Sequence, residues 1–337
     1  MELVPIIAAS FVGWIAVGCG RHPDLVVYCS LDQEFAEPLI RLYEQETGLR
    51  VRAEFDIEAN KTVGLVQRIR EERAAPRCDV LWSNEIAHTV ALGQDGFLAR
   101  YDSPSAADIP ANFRDPDRRW TGFAARARVF IVNTDLARPE DIRGMWDLVD
   151  PKWHGKVAIA RPIAGTTLTH IAALYCTLGA ERAGEYVARI DELSRSGGVH
   201  LANGNSSVAR LVGDGALAFG WTDTDDFAVT RERGAHVALV VPDADGCGTL
   251  LLPNTIAILA GTKREAEARR FVDWVLRPET EERLAFSRSE QIPVRASVRR
   301  PPQVAAPGAL HPMLVDWNEL GRSIEERAAS LKTSFVQ

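Results

Sequence analysis

Thr222-Asp223-Thr224-Asp225-Asp226 gathers three carboxylates and two hydroxyls into five consecutive residues. All are hard oxygen donors, the set that suits a hard metal ion or an ammonium group. The same residue types also open helices, where they accept from unpaired backbone N–H groups and favour the positive end of the helix dipole. The two roles are compatible: Asp223 or Thr224 can cap while Asp225 and Asp226 face a ligand. Cations are available as well. Arg126 and Arg128 stand two apart in a β-prone run, so they share one strand face. A guanidinium there can hold a carboxylate or phosphate bidentately. Arg128 taken alone reads as part of a salt-bridged surface strand. Gly165-Thr166-Thr167 opens a helical segment whose backbone N–H groups could receive an anion, and Asn205-Ser206-Ser207 precedes another. Either could equally be a plain cap.

Residues for turnover are hard to assemble. The seven histidines are scattered, with no HExxH spacing, and His170 is expected to pack within a helix. No G-x-S-x-G elbow, phosphate-cradling loop or dinucleotide fingerprint occurs. Asp32 is the one candidate general base, and no activating partner accompanies it. The chain therefore reads as a binder rather than an enzyme.

Such residues need elements to hold them. A strand at Leu25–Tyr28 is followed by a helix through Phe35, Leu39 and Tyr43 that ends at Gly48. A strand over 49–55, a helix over 60–73, a strand at Asp79–Trp82 and a helix ending at Gly96 come next. This alternation predicts parallel strands joined by crossover helices. Two long β-prone stretches, Trp120 to Asn133 and Thr249 to Leu259, bracket a middle segment and can carry the chain out of one lobe and back. Between them the patterning gives strands at 157–160, 216–221 and 237–241, and helices at 166–178 and 180–194. The last helix runs from Met313, with Leu314, Trp317, Leu320 and Ile324 at core spacing. Ligands of open α/β sheets sit beyond the carboxyl ends of strands. That rule nominates Ser30–Glu34, Ser83–Glu85, Gly165–Thr167 and Thr222–Asp226.

With 337 residues, 46% of them hydrophobic, the chain can build two lobes with separate cores. A net charge of −7 gives no electrostatic reason to expect nucleic acid or an anionic membrane as partner. Leu3 to Val17 is apolar and uncharged, yet shorter than the about 20 residues of a membrane span. It ends in small residues before Cys19, which reads as a secretory signal over 1–18. A cysteine in the first mature position resembles the bacterial lipobox, so Cys19 is expected to carry a lipid anchor. Cys29, Cys78, Cys176 and Cys247 fit no zinc spacing. An exported protein permits disulfides, but their pairing is not readable from sequence. Cys29 and Cys176 lie in apolar runs and read as buried thiols.

In their order, several segments resemble the periplasmic ferric-ion-type solute-binding proteins of ABC importers. They are Val26-Val27-Tyr28-Cys29-Ser30, Asp79-Val80-Leu81-Trp82, Arg126-Ala127-Arg128-Val129, Asp150-Pro151-Lys152-Trp153-His154-Gly155-Lys156, Gly165-Thr166-Thr167, Asn205-Ser206-Ser207-Val208 and Gln291-Ile292-Pro293. The resemblance implies an α/β, two-lobed type II periplasmic-binding fold with two crossover strands, which closes on its ligand. Lobe 1 would hold 25–125 plus 256–337, and lobe 2 would hold 126–255. The adjacent tyrosine ligands of that family fall at Asp225 and Asp226, its histidine near Asp32, and its glutamate at Asn84 with Glu85 adjacent. The arginine that holds a companion anion matches Arg126, while the anion loop and asparagine match Ala164-Gly165-Thr166 and Asn205. Ser30, Thr167, Thr222 and Asp223 are expected around the same ligand. The implied cargo is a metal ion on Asp32, Asp225 and Asp226 with a carbonate or phosphate beside it, and no resident cofactor. Because carboxylates replace tyrosinates, a zwitterion such as an aminoalkylphosphonate, or a phosphorylated metabolite, is the alternative cargo. The implied partner is an importer permease, and the implied setting is the periplasm, as a lipid-anchored monomer.

Overall fold

Side chains of strand β1 (Leu25–Cys29) divide by parity, as a period of two requires. Leu25, Val27 and Cys29 enter one apolar core, while Val26 and Tyr28 enter another. Burial on both faces is the mark of a parallel sheet covered by helices. In this computed structural model, which describes residues 22–56, 63–243 and 246–336, β2 (Val51–Phe55) and β3 (Val80–Ser83) flank β1 in parallel. The expected leader over 1–18 and the lipid-bearing Cys19 lie outside the described residues. Helices α1 (Gln33–Thr47), α2 (Val63–Glu71) and α3 (Ala87–Gln94) come after the three strands in turn. Gly48 ends α1 in the left-handed region, with φ of 72°.

Strand β4 (Thr121–Asn133) is buried along its whole length and joins the two halves of the molecule. Its first half pairs antiparallel with β9 (Leu251–Ile258), from Thr121↔Ile256 to Ala127↔Leu251. Its second half pairs with β7 (Phe219–Asp223), from Arg128↔Asp223 to Val132↔Phe219, and with β8 (Val237–Val240). With β5 (Val157–Ala160) and β6 (Val199–Ala202), the strand order is β2-β1-β3-β9-β4-β7-β5-β6. At Ala124, β4 carries a bulge with φ of 38°. Its N–H donates to Glu281 Oε1 at 2.8 Å, and Asn254 Nδ2 donates to its carbonyl. A bulge bends its strand and re-aims the side chains beyond it; here those side chains include Arg126 and Arg128.

The two helices expected over 166–178 and 180–194 are both present as the two parts of α4 (Gly165–Arg195), which breaks between them at Gly179 where φ is 81° and ψ 167°. Strand β6 escaped prediction because its four residues include an exposed His200 and a half-buried Leu201. Helices α5 (Asn205–Gly213), α6 (Thr224–Glu232), α7 (Glu265–Val275) and α8 (Pro278–Ala285) complete the layers. Leu314 is not a core residue: it is 87% exposed, because helix α9 (Trp317–Phe335) starts only after Asp316, whose carboxylate accepts from the N–H groups of Asn318 and Glu319. Leu320 and Ile324 are fully buried as expected. Helix α9 packs on both α3 and α4. Cys29 and Cys78 are buried, whereas Cys176 and Cys247 are only partly buried thiols.

Candidate functional site

The carboxyl ends of β1, β3, β5 and β7 converge on one cavity of about 270 Å³. Asp32, Asn84, Arg126, Gly165, Thr166, Thr167, Asn205, Asp223, Asp225 and Asp226 all line it. The strand-end rule thus brought together residues from four separate stretches of sequence.

Arg126 lines it and is only 2% exposed. Its Nη2 donates to the Asn84 carbonyl, and its Nε stands 3.4 Å from Asp223 and 3.8 Å from Asp225. Its Nη1 is buried and finds no hydrogen-bond partner among the described residues. Burial works against the charge, but the carboxylates of Asp225, Asp223, Asp32 and Asp226 outweigh it and raise the pKa further. The guanidinium is therefore permanently cationic, with one donor unanswered.

Arg128 corrects the sequence reading. It is no surface residue: its side chain has no exposed area, and its Nη1 donates to Asp223 Oδ1 at 2.7 Å. It also reaches Thr166 Oγ1 at 3.4 Å and lies over the Trp221 ring at 5.7 Å. The signal was present in the sequence, since Arg128 is flanked by Ala127 and Val129-Phe130, all of which are buried. A solvated strand would alternate with polar residues.

Asp223 answers both arginines. Its Oδ2 accepts from Thr166 Oγ1 at 2.7 Å and Asn205 Nδ2 at 3.1 Å. Burial pushes its pKa up, but the charges of Arg128 and Arg126 and the hydrogen bonds from Thr166 and Arg128 prevail and hold it below the usual carboxylate range. Oxygens of Asp223, Asp225 and Asp226 lie within 4.8 Å of one another. Asp223 is held by the donors above, Asp225 Oδ1 accepts from the Asp226 N–H at 3.0 Å, and Asp226 Oδ2 accepts from Thr222 Oγ1 at 3.4 Å. Asp32 lines the same cavity from the start of α1, outside that 4.8 Å group.

Ser30, Glu85 and Thr222 do not line the cavity; Ser30 and Thr222 bond residues that do, and Glu85 ties α3 to α4. Ser30 Oγ accepts from the Asn84 N–H at 2.9 Å and donates to Asn84 Oδ1 at 3.1 Å. Glu85 accepts from the N–H groups of Ala87 and His88 at the start of α3, and from Thr169 Oγ1 of α4 at 2.9 Å. Thr222 Oγ1 donates to the Asn205 carbonyl at 3.3 Å. His170 is buried within α4, edge-on to Trp221 at 4.7 Å, and burial and Arg128 push its pKa well below the histidine range. It stays neutral.

Two helices point their N-termini into the cavity without a side-chain cap: α4 after Ala164 and α5 after Gly204. Their first N–H groups have no intrahelical acceptor and carry the positive end of the dipole. Gly165 sits at φ of 58°, the left-handed region that favours glycine. Arg161, Ile163, Asn203 and Gly204 line the cavity and were missed by the sequence reading. Arg161 comes directly after β5, so the rule that selected Gly165–Thr167 could have selected it too.

The site therefore offers a cation-seeking carboxylate cluster and unanswered anion donors within one cavity. A bare cation near Asp225 would be repelled by Arg126, whereas a cation bearing an oxyanion, or a zwitterion, satisfies both.

Comparison with known proteins gives a consistent picture. The sequence profile described as bacterial extracellular solute-binding protein matches residues 39–312. Iron uptake protein A1 of Synechocystis is 24% identical over 323 residues, covering 90% of this chain and 85% of that one. Iron-bound HitA from Pseudomonas aeruginosa superposes with a TM-score of 0.80 at 23% identity, covering 93% of this chain and 99% of that one. The periplasmic binding protein AfuA from Actinobacillus pleuropneumoniae, with fructose-6-phosphate bound, superposes with a TM-score of 0.79 at 22% identity, covering 93% and 98%. The fold is the two-lobed type II periplasmic-binding architecture.

Proposed function

We propose, from the premise that this chain belongs to the bacterial extracellular solute-binding protein family, that it captures a hard metal ion with a companion oxyanion and delivers the pair to an ABC importer. The observation that carries this reading is the buried, unanswered Nη1 of Arg126 in the same cavity as Asp225 and Asp226. The oxyanion would take Arg126 and the open N-termini of α4 and α5, with Asn205 beside them. Asp225, Asp226 and Asp32 would face the metal. Relatives named for iron uptake support a metal cargo, ferric iron first among the candidates. Lobes of 25–125 plus 256–337 and of 126–255 would close over the cargo, on the periplasmic side, with Cys19 as lipid anchor. The protein would act as a binder with no turnover.

One observation favours a second reading. Among the described residues no tyrosine lines the cavity, and Asp223 is already held by Arg128, Thr166 and Asn205. That leaves a donor set less selective for ferric iron and well suited to a zwitterion or a phosphorylated metabolite, whose amine or hydroxyls would meet the aspartates. A neighbour of the same fold holds fructose-6-phosphate.

Thermal melting separates the two. A ligand that binds only the folded chain adds about 2.7 kcal/mol of stability at a hundredfold excess over Kd. Ferric ion with carbonate, phosphate or citrate should raise Tm, and Arg126→Gln should abolish the rise. If only aminoalkylphosphonates or sugar phosphates raise it, the cargo is organic. If none of these compounds shifts Tm, the cleft assignment itself fails. Native mass spectrometry with elemental analysis of the purified protein reads the same question directly.

A further inference from the structure

Arg161 borders two spaces at once. It lines the ligand cavity, and it lines a second cavity of about 510 Å³ behind the β5–β6 wall, together with Asp191, Arg195, His200, Ser334 and Phe335. Its backbone is fixed, because its N–H donates to the Ala202 carbonyl at 2.9 Å. Among the described residues no carboxylate fixes its guanidinium. Its side-chain partner there is the Phe335 carbonyl, which accepts from Nη1 at 2.9 Å in the last turn of α9. Arg126 and Arg128, by contrast, are both ion-paired to Asp223.

A neutral carbonyl is a weaker acceptor than an oxyanion. A guanidinium at a helix C-terminus gains a modest, salt-sensitive stabilisation from the dipole. An anion within reach can therefore draw Arg161 from Phe335 at small cost. We propose that Arg161 is a further ligand-binding residue that selects cargo with a polyvalent oxyanion, one bearing two or more negative charges. Arg126 and the helix N-termini take the first anionic group, and Arg161 takes the next. In doing so it exchanges the Phe335 carbonyl for the ligand and releases the last turn of α9. The proposal rests on the reading above that the cleft receives an oxyanion.

The test compares the full-length protein with Arg161→Gln and Arg161→Lys, substitutions at an exposed position. Citrate, inorganic phosphate and bicarbonate, each with and without ferric ion, serve as probes in calorimetric titration. The metal-free arms distinguish a free oxyanion from a metal chelate as its source. Loss of a charge-assisted hydrogen bond should weaken citrate and phosphate about ten- to hundredfold in Arg161→Gln. Bicarbonate, with one charge, should change little, and Arg161→Lys should recover part of the loss. Amide exchange over 332–336 should quicken when wild-type protein binds citrate, and should already be quick in Arg161→Gln. Equal citrate and phosphate affinity in wild type and Arg161→Gln overturns the role of Arg161 while leaving the function standing. If the wild-type protein binds none of the three oxyanions, with or without iron, the functional reading falls and this inference with it.

Discussion

Arg128 and Asp223 are as buried as the leucines around them, with 0% and 3% exposure. Each would lose several kcal/mol of hydration on burial, and only close pairing with further hydrogen bonds offsets that loss. Asp223 therefore stabilises the second half of the molecule as well as shaping the cleft. Asp223→Asn leaves Arg128 without its counter-ion and should cost about 3–5 kcal/mol in urea unfolding. The pH dependence has a defined sign. The folded-state pKa of Asp223 is depressed, so its contribution is present above the unfolded value of about 3.9 and is lost as pH falls through the lower folded value. Wild-type stability should drop by an increment below about pH 4 that Asp223→Asn lacks. The acidic run at 222–226 was conspicuous in the sequence as a motif. That its first aspartate pairs with Arg128 was not, because the partner is set by the β4–β7 register, Arg128 opposite Asp223.

At the scale of elements, the open N-termini of α4 and α5 are the parts of the site made by backbone alone. Gly165 begins α4 at φ of 58°, and a Cβ built there meets nothing within 4 Å. The cost of Gly165→Ala is therefore conformational rather than steric, about 1–2 kcal/mol in thermal or urea unfolding. If the helix re-forms one turn later to relieve it, oxyanion affinity falls too, which calorimetry would read. Long strands and helices with clear period were legible: β1, β4, β9 and both parts of α4 lie where patterning puts them. Short edge elements were not. Strand β6 has four residues and no apolar alternation of its own, and it forms because β5 offers an open edge beside it. The bulge at Ala124 was equally hidden, since alanine carries no sign of a positive φ.

At the scale of the whole molecule, α9 is the strap. It rests on α3 and α4, and Gly321 permits the approach: a Cβ there would stand 2.6 Å from Val90 Cγ1 and 3.2 Å from the Ala91 backbone nitrogen. The valine can turn, but the backbone cannot. Gly321→Ala should push α9 outward and cost about 1–3 kcal/mol, seen as a lowered Tm. The order of segments in the sequence pointed to two lobes and two crossing strands. The reach of α9 was not legible, because apolar spacing shows that a helix is buried on one face and is silent on how many partners share that face.

The same crowding around Arg128 has an optical consequence. The Trp221 indole donates to the Tyr186 hydroxyl at 2.9 Å, stands edge-on to His170 and lies beneath the Arg128 guanidinium. Indole emission responds to the electric field across the ring. Trp221 directly precedes Thr222 and lies against the Arg128–Asp223 pair beside the cleft. The molecule thus carries its own gauge of cleft charge, and filling the cleft should alter its colour without any added dye.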